Sequence, residues 1–356
     1  MVAGLAMLAV AGACSDFGDE DAATGGGDAG PAATEASTTS DAADGGGDGG
    51  DPKRPRRTLV VIGGLSASAS DRVFLGTIEP SGIAWAEGGR LPEPRASSCA
   101  FSTGERLYVV GGYALPTVLG VISRPVADAN AAWRPETGPA TARQAHACAV
   151  IGDALHVVGG GGPFSASQLA NVDSATAVDG GLVWTQGQAL PSAVQTHAVE
   201  PIGDTLYSLG GAPCRSAVLA GATESGRVKS WSDAGSLPTP RYAAASASSG
   251  DRIYLSGGLE GPSCATASAA VSSLRIQGGA IESIAAERSL PEARVGHRSV
   301  IVGSRLFVIG GRFGGTGGAP ARSVMSAEVN ADGTLGAWTD EDSLPDGVSD
   351  FALIVL

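Results

Sequence analysis

Long apolar runs are missing from this 356-residue chain. No stretch approaches the roughly 20 apolar residues that a spanning helix needs, which excludes a multi-span membrane protein. Charge is scarce at 17 % of residues and aromatic side chains are at 5 %, so a long coiled coil rich in Glu, Lys and Leu is excluded as well. A basic surplus is absent: 23 Lys and Arg stand against 36 Asp and Glu, a formal net charge of −13. Phosphate contacts need a basic surface, so nucleic acid is not an expected partner. Neither an HExxH zinc-protease motif nor a GxSxG nucleophile elbow occurs. Glycine, by contrast, is abundant at 54 residues, about twice the usual share of roughly 7 %. With 20 prolines and an apolar fraction of 43 %, the expectation is an acidic, soluble, all-β body.

The acids are unevenly spread. Residues 15–51 hold ten of them (Asp16 to Asp51) and no base, and Lys53, Arg54, Arg56 and Arg57 follow. Ala, Gly, Asp, Ser and Thr cannot bury enough apolar surface to offset ordering entropy, so 15–57 reads as a disordered acidic linker with a basic end. Residues 1–14 form a short apolar run with small residues at its end, the profile of an export signal. Ala11, Gly12, Ala13 and Cys14 resemble the lipobox of bacterial lipoproteins. That resemblance implies a lipid on Cys14 and a place on the outer membrane or cell surface, with the anchor as the sole membrane contact. Ala11-x-Ala13 also suits ordinary signal cleavage, with a periplasmic or secreted product.

From residue 58 one signal dominates. A Gly-Gly pair follows a short apolar strand six times, with first glycines at Gly63, Gly111, Gly159, Gly210, Gly257 and Gly310, spaced 48, 48, 51, 47 and 53 residues apart. A period near fifty means stacked or radially arranged copies of one unit. Upstream of each pair lies a second strand ending in a polar turn such as Gly152-Asp153 or Gly250-Asp251, a hairpin signal. Downstream, a third strand leads to a fourth that carries Trp85, Trp133, Trp184, Trp231 or Trp338, with Ile284 in that place in the fifth unit. Six or seven residues further on comes a proline, usually as Leu-Pro (Leu91-Pro92, Leu190-Pro191, Leu344-Pro345), which ends the strand.

Four short antiparallel strands make a sheet that cannot bury both faces alone, so neighbouring sheets must pack face to face. The two ends of the body are complementary. It begins at Thr58 with a second strand lacking the first and ends with Asp350–Leu356, a first strand lacking the second. Pairing the last strand with Thr58–Ile62 would close the ring and remove two exposed edges. The Gly-Gly pairs, the spaced Trp and the Pro-x-x-Arg lead-in resemble the kelch repeat family over all of 58–356. This implies a six-bladed kelch-type β-propeller. Kelch propellers are scaffolds: many are protein- or sugar-binding modules, and a few are enzymes, among them the copper-radical galactose oxidases and the bacterial sialic acid epimerases.

Candidate chemistry gathers at one end of such a body. Sixteen residues before each Gly-Gly stand Arg95, Arg143, Val194, Arg241 and Arg294; Arg312 and Tyr113 directly follow two of the pairs, and Tyr242 sits beside Arg241. Four guanidinium groups and nearby tyrosines at a channel mouth would suit a carboxylate-bearing ligand, since Arg forks carboxylates. The same arginines could instead bridge neighbouring blades through carbonyls or acids such as Glu93 and Glu292. His146, His197 and His297 all lie thirteen residues before a glycine pair, the mark of a repeat-consensus residue and not of a metal set, and His156 lies on a second strand. The Tyr–Cys crosslink and paired His ligands of the galactose oxidases are not present, so no metal and no cofactor are expected.

Cys214 and Cys264 sit three and six residues past successive Gly-Gly pairs and are candidates for a disulfide between mouth loops; Cys99 and Cys148 are expected as small buried thiols. The glycines at 159–162 and 310–318 lack the helix start that a phosphate cradle needs. The resulting expectation is an exported, lipid-anchored, monomeric, non-catalytic binding module for an unknown protein or acidic carbohydrate, with its site at the Arg-lined mouth. A sialic acid epimerase (mutarotase) type of enzyme is the alternative, with Glu260, His146 and His297 as its candidate acids and bases. A purely structural surface part is a third.

Overall fold

A computed structural model of the chain describes residues 57–114, 117–162, 167–179 and 181–356. The expected signal peptide, Cys14 and nearly all of the linker lie outside the described residues. No helix among the described residues is long and apolar enough to cross a membrane.

Each repeat unit folds as one antiparallel four-stranded sheet. In the third unit, Ala147–Ile151, Ala154–Val158, Val172–Val178 and Gly181–Gln186 follow one another across the sheet in chain order. Six four-stranded sheets occur among the described residues. The first in sequence is composite. Thr58–Ile62, Arg72–Glu79 and Gly82–Arg90 supply three of its strands, and Ala352–Val355 pairs antiparallel beside Thr58–Ile62 with Leu59 opposite Val355 and Ile62 opposite Ala352. Backbone bonds of 2.8 and 2.9 Å between Thr58 and Leu356 extend that ladder.

The first strands of successive sheets touch one another, and Ala352–Val355 touches both Cys99–Ser102 and Arg298–Val302. The residue two positions ahead of each of these strands takes part in a circuit of backbone hydrogen bonds. Ser97 N–H donates to the Asp350 carbonyl (2.7 Å), Ala145 to Ser97 (3.1 Å), Thr196 to Ala145 (2.9 Å), Ala243 to Thr196 (3.1 Å), Gly296 to Ala243 (3.3 Å) and Asp350 to Gly296 (2.8 Å). All six have positive φ, between 54° and 65°. This left-handed turn costs a non-glycine residue energy. It aims each N–H at one neighbouring sheet and each C=O at the other.

Local chemistry explains the repeat. At Gly111 (φ 61°) a Cβ would sit 2.3 Å from the Arg143 carbonyl, so only glycine lets strand two end beneath the entry to the next sheet. The tryptophans hold the outer rim. Trp85, Trp133, Trp184, Trp231 and Trp338 each donate the indole N–H to a carbonyl in the segment leaving the preceding sheet, respectively Asp342, Arg90, Thr137, Gln188 and Arg288, at 2.7–2.9 Å. Ile284 lacks the donor. Leu91, Leu190, Leu237, Leu290 and Leu344, just before the prolines, are all buried between sheets.

One expectation is corrected here. Cys99 and Cys148 are not separate thiols but a disulfide, with Cα atoms 6.2 Å apart. Successive strand residues point to opposite faces. Two cysteines one residue out of phase on adjacent first strands therefore face each other. Cys214 and Cys264 are also joined, with Cα atoms 5.6 Å apart, and tie the post-Gly-Gly loops of the fourth and fifth sheets.

Candidate functional site

The four repeat arginines enter the body just ahead of the first strands, and there they turn inward. They are only 1–6 % exposed. Arg95 donates to the carbonyls of Gly111 (3.2 Å) and Gly120 (3.0 Å), Arg143 to those of Gly159 (3.2 Å) and Asn171 (3.0 Å), and Arg294 to the Gly310 carbonyl (3.1 Å) and the Ser323 hydroxyl (3.0 Å). Arg241 donates to the Ala270 carbonyl (3.2 Å). The guanidinium groups of Arg95, Arg143 and Arg294 thus link the end of the second strand to the start of the third in their own sheets, and Arg241 reaches the start of the third. Arg143 also pairs with Asp173, and Arg241 with Glu260 at 2.5 Å. Burial lowers all four from the ordinary guanidinium range, Arg95 and Arg294 to about 10. The expected Arg-lined mouth is therefore corrected: these side chains bind the protein's own carbonyls. Val194 and Val348, both buried, fill the same position in the other two sheets.

The histidines are equally internal. His146 and His197 are fully buried and pulled down to about 3 by desolvation, aided by nearby arginines; His297 is also held well below the usual imidazole range. His297 Nε2 lies 2.9 Å from the Ser256 hydroxyl, and His156 Nδ1 lies 2.8 Å from that of Ser174. Neutral at any ordinary pH, His146 and His297 are poor proton donors for an epimerase. Glu260 is engaged by Arg241. Tyr242 is half-buried beside the Cys214–Cys264 disulfide, and burial raises its phenol.

A different group gathers where the first, second and sixth sheets meet. Asp350, one of the six residues of the hydrogen-bonded circuit, is fully buried, and desolvation raises its carboxyl to about 6. The Ser349 hydroxyl donates to its Oδ2 (2.7 Å), and Arg312 Nε donates to that same hydroxyl (2.9 Å). Oδ1 has no hydrogen-bond partner. It lies over Gly296, where a Cβ would come within 2.9 Å of it. Tyr113 is close enough to feel both charges. Burial and the Asp350 carboxylate raise its phenol to about 12, while Arg312 and a hydrogen bond with Ser97 act in the opposite sense.

Arg312 differs from the repeat arginines. It is partly exposed, and its other bonds go to neutral oxygens, the carbonyls of Gly318 (3.0 Å) and Ser66 (3.4 Å). No carboxylate lies within ion-pair distance of it among the described residues. Sequence reasoning named Arg312 and Tyr113 but missed Asp350, Ser97 and Ser349. The available signal was alignment of the last strand with the other units, which puts Asp350 at a position otherwise held by Ser97, Ala145, Thr196, Ala243 and Gly296.

No family model and no curated protein matches the chain. Among solved structures it is similar to YjhT, with a TM-score of 0.63 and 15 % identity over 82 % of this chain and 99 % of that one. At this identity the likeness speaks for the fold alone, and the fold is a β-propeller.

Proposed function

We propose that the six sheets are the blades of a closed kelch-type propeller, and that its mouth binds an acidic sugar and interconverts the sugar's anomers, as a sialic acid epimerase (mutarotase) does. Closure is supported by the pairing of Ala352–Val355 with Thr58–Ile62 and by the circuit from Ser97 to Asp350. The observation that carries the functional reading is the Arg312–Ser349–Asp350 chain with Tyr113 beside it. Arg312 offers a charge with no carboxylate of its own, suited to the sugar's carboxylate. Anomer exchange requires a proton to leave the anomeric hydroxyl and another to reach the ring oxygen, then the reverse. Asp350 itself is enclosed, so it acts as a positioning residue through Ser349 and Tyr113.

The test is to follow anomerically pure N-acetylneuraminic acid by NMR. Interconversion faster than buffer is expected, falling at least about tenfold in Arg312→Ala as the charge-assisted contact is lost. Rates equal to buffer overturn the enzyme. A second reading, an exported non-catalytic binding module carried on lipidated Cys14, draws on the two inter-sheet disulfides, which suit an oxidising compartment. It expects saturable binding of the acid without turnover, and loss of membrane attachment in Cys14→Ser.

A further inference from the structure

We propose that the mouth takes an oligosaccharide of acidic sugars, with one carboxylate on Arg312 and a second, from another sugar of the same ligand, on Arg215 across the opening. This rests on the reading above that Arg312 receives a sugar carboxylate. Arg215 follows the Gly210-Gly211 pair by four residues, in a loop that the Cys214–Cys264 disulfide fastens to its neighbour. It is partly exposed, and no carboxylate lies within ion-pair distance of it among the described residues. Its Nη2 donates to a neutral oxygen, the Ala193 carbonyl (2.8 Å). In these respects Arg215 is like Arg312 and unlike the four repeat arginines. The two also belong to the two sheet entries where the repeat arginine is replaced by valine, Val194 and Val348.

The hydrogen-bonded circuit fixes where the two charges stand. Arg312 bonds Ser349, one residue ahead of Asp350; Arg215 bonds Ala193, three residues ahead of Thr196, and its charge reaches His197 just beyond. Asp350 and Thr196 are three steps apart in the circuit whichever way it is followed, so the two guanidinium groups belong to opposite sides of it. Neutral polar groups surround Arg215. Gln195, one residue ahead of Thr196, holds the place that Ser349 has beside Asp350. It is nine-tenths buried, its amide makes no hydrogen bond among the described residues, and its Oε1 overlies Gly161, where a Cβ would come within 2.4 Å of it. Gln168, with its amide nitrogen turned to acceptors, shares the Ala193 carbonyl (3.0 Å) with Arg215. A buried amide with its donor and acceptor both unused suits a ligand that offers both, as a sugar hydroxyl does. Two separated guanidinium groups call for two separated carboxylates, which a chain of acidic sugars carries and a single such sugar does not.

The test is calorimetric titration of the full chain with N-acetylneuraminic acid and with its α2,8-linked oligomers of two, three and four sugars. Affinity should step up at least about tenfold once the oligomer is long enough to engage both arginines, because the second contact is then intramolecular. Arg215→Gln keeps a neutral donor for the Ala193 carbonyl and loses only the charge, and in it the ratio of tetramer to monomer affinity should fall to about one. Added salt should shrink the step in the native chain. An affinity flat from one sugar to four overturns the proposal. So does a step that survives in Arg215→Gln with native thermal melting, or an equal step for glutamate oligomers, which would make charge alone the thing recognised. Failure of the underlying reading has a different signature: Arg312→Ala would then leave the affinity for the single sugar unchanged, and both proposals fall. A single sugar that depends on Arg312, with no gain from length, overturns this one alone.

Discussion

Two kinds of arginine stand near the glycine pairs, and they have opposite fates. Arg95, Arg143, Arg241 and Arg294 recur at one repeat position and are buried against backbone carbonyls of their own sheets. Arg312 comes just after a glycine pair, at no repeated position, and keeps a partly exposed charge facing neutral oxygens and a serine that leads to Asp350. What recurs in a propeller is what holds the inner strands of a sheet together. Ligand chemistry falls to the departures from the repeat, where one blade carries what its siblings do not. Asp350 obeys the same logic, as the one acid in a circuit of otherwise small or hydroxylic residues.

The largest expected effect breaks the comparison on the repeat side. Arg143→Ala strands the buried Asp173 carboxylate and frees two carbonyls, so it should cost about 3–5 kcal/mol in urea unfolding. A cost below about 1 kcal/mol would mean that the repeat arginines are not structural.

The second effect is a slope. The buried imidazoles have folded pKa values far below 6.5, so the unfolded chain binds more protons and stability rises with pH from about 3 to 6.5. Asp350, raised from 3.8 to about 6, and Glu200, raised from 4.5 to about 7 by burial, work in the other direction. Their folded forms hold protons that the unfolded chain has released, so each lowers stability as pH climbs through that window. Asp350→Asn removes one opponent, and the rise between pH 4 and 6 should steepen. An unchanged slope in chemical denaturation across that range would place the Asp350 carboxyl in water, not in the circuit.

Much of this was legible beforehand. The period of the glycine pairs, the tryptophan spacing and the incomplete first and last units define the sheets and their terminal pairing, because strand ends and tight turns are fixed by local residue chemistry. What escaped was direction. A sequence alignment puts an arginine at a position but does not say whether its fork swings to solvent or to a carbonyl. Cys99 and Cys148 escaped because they are out of phase in the repeat, and only the alternation of side chains on facing strands brings them together. Asp350 escaped because the other members of the circuit come from five other sheets.

A smaller effect separates the fifth sheet from the others. Trp231→Phe keeps an aromatic side chain of smaller size but deletes the bond to the Gln188 carbonyl, and should cost about 1 kcal/mol. Ile284 occupies the same place in the fifth sheet with no such bond, and Ile284→Val there should cost about 0.5–1 kcal/mol for a half-buried methylene. If Trp231→Phe is silent by thermal melting, the rim is held by packing and the indole bonds are incidental.

The smallest expected effect is the sharpest. Arg312→Ala removes bonds to a hydroxyl and two carbonyls at a partly exposed site, with no buried carboxylate left behind at ion-pair distance, so its cost in stability should stay under about 1 kcal/mol. The Asp350 carboxyl should nevertheless rise further, because Arg312 is one of the charges that favour its ionised form. A carbon-13 titration of Asp350 side by side with urea unfolding measures both quantities on one variant. An upward pKa shift with near-native stability is what a functional guanidinium gives. A stability loss matching that of Arg143→Ala would make Arg312 a fifth structural arginine and leave its side of the mouth without a charge to offer.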